Sequence, residues 1–198
     1  MSVVTHHAAD DSGRPRHHDP HLLIVGGSGR NVGKTECVCR VISHGLQFRP
    51  DIYALKVSAV YPGELVWHGS HQEDEPPFHL FEENDRTSAK DTGRMLRAGA
   101  RRVFYLRCDD TAVEAAYHRV RRMLPPEATL VCESNSLANF VRPGLLLAIT
   151  TPHGPVKPRS RPLLELADLL MVSDGTSGFP EIASIGVDEL GCWRLTDR

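Results

Sequence analysis

The sequence has no long run of basic residues and no long run of apolar residues. Its 198 residues carry a formal net charge of -2, so nucleic acid is not an expected partner. No stretch approaches the ~20 apolar residues that a membrane-spanning helix needs, and no polybasic anchor is present. The polar, His-rich residues 1–20 lack the apolar middle of a signal peptide. We therefore expect a cytoplasmic protein that contacts no membrane.

Cysteine is scarce, with five residues in the chain. An odd count without a secretion signal argues against a disulfide framework. Cys37 and Cys39 fall in a predicted helix, where side chains two positions apart diverge by about 200°. A shared metal ion would require that helix to unwind. We therefore predict that these cysteines are buried structural thiols.

The remaining composition is ordinary for a globular protein, with 40% hydrophobic and 24% charged residues. The length suits one α/β domain and is sufficient to bury a hydrophobic core. Residues 1–20 show no periodicity and predict a disordered arm. Residues 21–198 are predicted to form the single domain.

Short apolar segments alternate with helical patterns along this domain. The apolar runs lack a polar alternation, which is typical of strands buried on both faces of a parallel sheet. We therefore predict an α/β fold with a mostly parallel sheet flanked by helices. The predicted strands are residues 21–25, 51–60, 102–107, 129–132, 145–150 and 169–172. The predicted helices are residues 34–46, 88–98, 113–124 and 163–167, with loops at 61–87 and 151–162 and a hairpin or edge strand within 182–195.

A glycine-rich loop, residues 26–35, lies between the first predicted strand and the first predicted helix. It reads Gly-Gly-Ser-Gly-Arg-Asn-Val-Gly-Lys-Thr. Glycines let backbone N–H groups turn toward an anion, and the helix N-terminus adds partial positive charge. Lys34 would contact the β- and γ-phosphates of ATP or GTP, and the Thr35 hydroxyl would bind Mg²⁺. The residues predicted to bind the nucleotide are Gly29, Arg30, Asn31, Val32, Gly33, Lys34, Thr35 and Glu36.

This loop predicts a P-loop NTPase fold, although the strict motif has glycine where this chain has Ser28. The simpler alternative is a glycine-rich turn that only joins a strand to a helix. That alternative does not explain why Gly-Lys-Thr opens the helix.

An acid is expected at the end of a neighbouring buried strand, where it would hold Mg²⁺ or position the attacking water. Glu133 directly follows the apolar run 129–132 and fits this role, so Lys34 and Glu133 are the predicted catalytic residues and Thr35 and Glu133 the predicted metal ligands. The alternative for Glu133 is a turn cap. Asp91 is a second candidate acid.

With these motifs, residues 21–175 resemble the MobB family of P-loop proteins, which are associated with molybdopterin-guanine dinucleotide biosynthesis. The signs are the Gly-Lys-Thr motif, Lys56 at the end of the second strand, Asp-Thr-Gly-Arg at 91–94 and Val-Cys-Glu-Ser at 131–134. The resemblance implies an accessory role in molybdenum-cofactor maturation, with slow hydrolysis and a molybdenum-cofactor biosynthesis protein as partner. No Asn-Lys-x-Asp guanine motif is present, so the base stays open; Ser173 and Asp174 are the nearest candidates to read it.

Two other functions fit the same loop. One is a small-molecule kinase or an ATP-dependent ligase of the dethiobiotin synthetase type, and the other is a binding module switched by nucleotide. Arg159 and Arg161 are candidates to meet an anionic substrate.

The predicted loop 61–87 carries aromatic and metal-binding side chains. Trp67, Phe78 and Phe81 need cover, which favours a homodimer with this loop close to the interface or to the nucleotide. A lid that folds back on a monomer is the alternative. The loop also holds His68, His71 and His79 beside Glu73, Asp74 and Glu75. This cluster can bind a divalent metal, but a polar lid or an oligomer contact is the favoured interpretation.

Overall fold

The computed structural model describes residues 17–60, 78–176 and 178–196. Nine strands and four α-helices lie in this part of the chain. The strands are β1 His17–Gly27, β2 Ile52–Val60, β3 Phe78–Glu83, β4 Val103–Asp109, β5 Thr129–Glu133, β6 Val141–Thr150, β7 Leu169–Val172, β8 Ile185–Val187 and β9 Trp193–Leu195. The helices are α1 Lys34–Gly45, α2 Asp91–Arg97, α3 Val113–Arg122 and α4 Arg161–Leu166.

Seven strands form one sheet in the order β3-β4-β2-β5-β1-β6-β7. All neighbours pair in parallel except β3, which runs antiparallel to β4. Strands β8 and β9 form a separate antiparallel pair. The fold is therefore α/β with a mostly parallel sheet flanked by helices, and the predicted hairpin in the tail is confirmed.

Each face of the sheet is covered by its own hydrophobic core. Leu22 and Ile24 of β1 pack on the side of α3 and α4, whereas Leu23 and Val25 pack on the side of α1 and α2. All four side chains are fully buried. The unbroken apolar run of β1 is thus explained by burial on both faces, and β1 lies near the centre of the sheet, between β5 and β6.

Strand β1 begins earlier than predicted. The sequence places residues 17–20 in a disordered arm, but His17, His18 and Asp19 pair with the start of β6. Asp19 is buried, and its carboxylate accepts a hydrogen bond from the Tyr117 hydroxyl and an ion pair from Arg121. These distant partners stabilise polar residues that show no strand pattern of their own. The rest of the predicted arm, residues 1–16, lies outside the described residues.

Strand β3 was predicted as part of a long loop, and this prediction is wrong for residues 78–83. Phe78 and Leu80 pack against the core beside α3, while the strand pairs with β4 along its whole length. Phe78 therefore finds its cover inside the monomer. The predicted cluster residues His68, His71, Glu73, Asp74 and Glu75, together with Trp67, lie outside the described residues.

The five cysteines are free thiols. Cys37 is buried as predicted, but Cys39 is only partly buried. Burial raises the pKa of the Cys39 thiol to about 11, so the thiol is protonated at neutral pH. Among the described helices, none is long and apolar enough to cross a membrane.

Candidate functional site

The glycine-rich loop turns sharply at two residues before it enters α1. Asn31 has φ 58° and Gly33 has φ 93°, both in the left-handed region. Glycine adopts this region without strain, and asparagine tolerates it better than most residues. A Cβ added to Gly33 would also lie 3.1 Å from the Ser173 hydroxyl oxygen. Asn31 is the only non-glycine residue with positive φ in the described chain, so Ser28 stands where the strict motif has glycine without needing a glycine conformation.

Lys34 is the first residue of α1 and folds back over the loop. Its ammonium donates a hydrogen bond to the Gly29 carbonyl oxygen at 2.5 Å. Burial lowers the pKa of Lys34 below its usual value; the charges of Lys56 and Lys157 act in the same direction, and Glu133 opposes them. The cation is thus held in a partly desolvated position, where an anion would interact with it strongly.

The next residue, Thr35, joins the loop to the neighbouring strands through a chain of polar contacts. Its hydroxyl donates to Glu133 Oε2 at 2.7 Å. The other oxygen of Glu133 accepts from Lys56 Nζ at 2.7 Å, and the same ammonium donates to Asp91 Oδ2, also at 2.7 Å. Strands β5 and β2 and helices α1 and α2 therefore meet at these four side chains.

The charges of Lys56, Glu133 and Asp91 stabilise one another. Burial alone would lower the pKa of Lys56, but the charges and hydrogen bonds of Glu133 and Asp91 outweigh it and raise the pKa above its usual value. Burial would likewise raise the pKa of Asp91, but its hydrogen bond and charge interaction with Lys56 outweigh the effect and lower the pKa. Lys56 and Asp91 therefore form a stable ion pair at neutral pH.

Glu36, a predicted binding residue, is held by two arginines. Its carboxylate accepts from Arg94 of α2 at 2.7 Å and from Arg40 at 2.8 Å. Arg94 also lies 4.0 Å from Asp91. These contacts fix α2 against the start of α1, and so they hold Asp91 in reach of Lys56.

Asn135 fixes the point where the chain leaves β1. Its side-chain oxygen accepts from the Gly27 backbone N–H at 3.0 Å, and its NH₂ group donates to the Gly27 carbonyl at 2.8 Å. The NH₂ group also donates to the Ser160 hydroxyl at 3.2 Å. One side chain thus pairs both backbone groups of Gly27, beyond the end of the β5 ladder at Glu133.

These residues surround a cavity of about 560 Å³, within the range of small-molecule sites. It lies at the carboxyl ends of β2 and β5, beside the loop that follows β1. Its lining contains three carboxylates and six basic side chains. The basic side chains are Arg30, Lys34, Lys56, Arg94, Lys157 and Arg159. This excess of positive charge can hold a polyanion.

Most of the predicted site residues come together here. Of the predicted nucleotide-binding residues 29–36, all but Val32 line the cavity, and Glu133 lines it too. The Val32 side chain is buried in the core instead, because the turn at Asn31 and Gly33 directs it inward beside Gly27. Arg161, Ser173 and Asp174 are not among the described residues that line this cavity.

Sequence reasoning missed Asn135, Ser136 and Lys157 as parts of the site. Lys157 comes from the loop after β6, which is tied to the glycine-rich loop by a hydrogen bond from Lys157 N–H to the Ser28 carbonyl at 3.0 Å. The polar run after Glu133 was a usable signal for Asn135, since it follows a buried strand. No local pattern marks Lys157.

Neither a model of a known protein family, nor a curated protein, nor a solved structure matches this chain. Within the described ranges no group of three or more His, Cys, Asp or Glu side chains is placed to hold a metal ion. The oxygen donors of the cavity include the Thr35 hydroxyl and the carboxylates of Glu133 and Asp91.

Proposed function

We propose that this chain is a P-loop protein that binds a nucleoside triphosphate, GTP or ATP, together with Mg²⁺ and hydrolyses it slowly. One observation carries the proposal: the Thr35 hydroxyl, at the start of α1, donates to Glu133, the last residue of the adjacent buried strand β5, and Lys34 lines the same cavity. A turn that only joined β1 to α1 would not require a cation, a hydroxyl and a carboxylate at one point.

The residues of the cavity fit a triphosphate and Mg²⁺. Lys34, Arg30 and Lys157 supply positive charge for the phosphates, and the N-terminus of α1 adds to it. Mg²⁺ takes few protein ligands, all oxygens, and keeps several waters; the Thr35 hydroxyl and the Glu133 carboxylate are donors of this kind. When bound, Mg²⁺ would supply charge neutralisation at the β- and γ-phosphates.

Glu133 is suited to position a water molecule. Its two oxygens are each fixed by one hydrogen bond, from Thr35 and from Lys56, and each retains a lone pair that can accept from water. The described lining contains no histidine, the side chain that most often serves as general base near pH 7. Slow intrinsic hydrolysis follows from a site that orients water with a carboxylate alone.

We place this activity in molybdenum-cofactor maturation, as an accessory step toward the molybdopterin dinucleotide, because residues 21–175 resemble the MobB family. The partner would be a molybdenum-cofactor biosynthesis protein that accelerates the slow hydrolysis. A small-molecule kinase or an ATP-dependent ligase is the second candidate function. It is favoured by a second cavity that shares Lys56 and Asp91 with the first.

Calorimetric titration of Lys34→Ala with ATP and GTP in Mg²⁺ tests the proposal. Loss of a charge-assisted phosphate contact should weaken the preferred triphosphate roughly 100-fold, about 2.7 kcal/mol. Arg122→Ala, which removes an exposed cation from α3, is the matched control and should bind like the wild type. Equal affinity in wild type and Lys34→Ala would contradict the proposed function.

A further inference from the structure

The ammonium group of Lys56 lies between two carboxylates, at the kind of position that a metal ion takes. Its Nζ is 2.7 Å from Glu133 Oε1 and 2.7 Å from Asp91 Oδ2. The other oxygen of Glu133 accepts a hydrogen bond from the Thr35 hydroxyl, also at 2.7 Å. Two carboxylates and a hydroxyl are the oxygen ligands that Mg²⁺ and Mn²⁺ prefer. A side chain of the protein itself therefore occupies the space between these ligands.

Regular elements hold the three charged groups in place. Lys56 of β2 is directly opposite Glu133 of β5 in the register of the sheet, so the two side chains share a face. Asp91 is the first residue of α2, and Arg94 of the same helix is bound to Glu36 of α1 at 2.7 Å. The ion pairs thus belong to the protein without ligand and do not depend on a loop.

The charges of the site leave no net negative charge for a divalent cation that arrives alone. Burial lowers the pKa of Lys34, and the charges of Glu133 and Asp91 oppose that effect. Lys56 and Lys157 lower the pKa of Lys34 further, so these side chains share one electrostatic site. Two carboxylates in it are balanced by three ammonium groups. A triphosphate would bring the missing negative charge together with further oxygen ligands.

We propose that Lys56 is a built-in counter-ion that prevents Glu133 and Asp91 from binding a divalent cation until the nucleotide is present. Mg²⁺ is then accepted only together with the phosphates. Lys56 is a positioning residue in this sense, because it acts through the two carboxylates. The order of binding rests on the proposed function, whereas the exclusion of a free cation depends only on Lys56 and its two partners.

Titration with Mn²⁺ in the absence of nucleotide tests the proposal, with the electron paramagnetic resonance signal of free Mn²⁺ as the readout. Lys56→Met removes the ammonium and leaves the carboxylates of Glu133 and Asp91 to face each other. This variant should show saturable binding of Mn²⁺, at least about tenfold tighter than any binding by the wild type. Lys56→Gln, which keeps a polar side chain, should behave in the same way and repeats the test if Lys56→Met does not fold.

Three further variants show whether the charge at position 56 and the carboxylate of Asp91 are responsible. Lys56→Arg keeps the positive charge and should exclude Mn²⁺ as the wild type does. Lys90→Met, which removes the exposed lysine next to Asp91 in the sequence, is the matched control and should also exclude it. Asp91→Asn in the Lys56→Met background should weaken Mn²⁺ binding at least about tenfold, because one of the two charged ligands is lost.

Thermal unfolding gives a second readout. A cation that binds only the folded state stabilises it, so Mn²⁺ should raise the unfolding temperature of Lys56→Met and leave that of the wild type unchanged. Equal Mn²⁺ affinity in the wild type and in the two neutral variants, or binding that Asp91→Asn leaves intact, would overturn the proposal. These titrations contain no nucleotide. Their failure contradicts this inference alone, whereas equal triphosphate affinity in wild type and Lys34→Ala contradicts the proposed function alone.

Discussion

Lys56 is the residue on which the polar contacts of the site converge. One ammonium group holds the carboxylates of Glu133 and Asp91, which come from a strand and a helix far apart in sequence. Lys56 is 18% exposed and Glu133 is 7% exposed at their side chains. Without the cation, two carboxylates would face each other in a partly desolvated space, which costs more than the loss of a surface ion pair.

Lys56→Met should therefore lower the free energy of unfolding by about 2 kcal/mol, allowing for the partial exposure of Asp91. The folded-state pKa of Asp91 is lowered, so its contribution is present above the ordinary carboxyl pKa and is lost as pH falls through the folded value. The pKa of Lys56 is raised, so its contribution is lost only as pH rises through the folded value. The difference from wild type should be largest between about pH 5 and 9.

Urea unfolding across this pH range measures the effect, with Lys90→Met as the control for loss of an exposed lysine. A difference that stays constant down to acid pH would show that the ion pair does not contribute.

Glu133→Gln tests the role of the carboxylate in hydrolysis. Glutamine keeps the shape of the side chain and removes the charge that positions water. Turnover of the preferred triphosphate should fall at least tenfold, about 1.4 kcal/mol of barrier, with diphosphate binding nearly unchanged. Steady-state phosphate release measures it. Unchanged turnover would show that Glu133 does not position the water and would leave Asp91 as the candidate acid.

Helix α2 is the element whose placement completes the site, since it carries Asp91 and Arg94. It has seven residues, and Gly93 in its first turn packs against Ser88 of the preceding loop. A Cβ added to Gly93 would lie 2.5 Å from the Ser88 carbonyl oxygen. The helix can therefore approach the preceding turn only with glycine at this position.

Gly93→Ala should lower the free energy of unfolding by about 1–2 kcal/mol, because the backbone clash outweighs the ~1 kcal/mol that alanine gains in helix propensity. Gly29→Ala is the control, since its Cβ would meet nothing closer than 3.9 Å, and should change stability by less than about 0.5 kcal/mol. Thermal or urea unfolding measures the free energy of unfolding of both variants and of wild type. Equal stability of Gly93→Ala and wild type would show that α2 can shift without cost.

The elements that the sequence predicts best are those with a strong local pattern. The run 21–25, the glycine-rich loop and α1 follow one another in a pattern set by burial and by the turn at Gly33. Strand β3 was missed because its outer positions carry polar residues such as Glu82 and Glu83, and because its partner β4 lies 20 or more residues ahead.

The candidate site was predictable only in part for a similar reason. Lys34, Thr35 and Glu133 follow from the ends of parallel strands, which meet at one edge of the sheet. Asn135 and Lys157 reach the site from loops whose paths are set by long-range hydrogen bonds. Contacts of this kind do not produce a periodic pattern in the sequence.

The sheet ends at β7 on the side away from β3, and this edge is apolar. Leu170 and Val172 are 53% and 50% exposed on one face, while Met171 is buried on the other. An edge strand with apolar side chains is a natural pairing surface. We therefore propose a homodimer through β7. Because β3 lies at the opposite edge of the sheet, this interface differs from the one near residues 61–87 that the sequence predicts.

Sedimentation velocity at micromolar concentration, with and without nucleotide and Mg²⁺, measures the oligomeric state. Leu170→Lys should shift the wild-type dimer toward monomer by placing a charge in the interface. Leu190→Lys, at a position 68% exposed between β8 and β9, should not. A wild type that is monomeric under every condition would contradict the prediction of a homodimer.

The two hydrogen bonds between Asn135 and Gly27 affect the rate at which Asn135 loses its side-chain amide. Asparagine is thermolabile, because the backbone nitrogen of the next residue can attack its side-chain carbonyl and release ammonia. Here that nitrogen, on Ser136, donates to the Ser134 hydroxyl at 3.2 Å, and the amide itself is held by Gly27. In the folded protein Asn135 should resist deamidation during storage, whereas in unfolded chains it should slowly be converted to aspartate. Chains changed in this way should refold less stably, because a carboxylate at position 135 has no proton to donate to the Gly27 carbonyl oxygen.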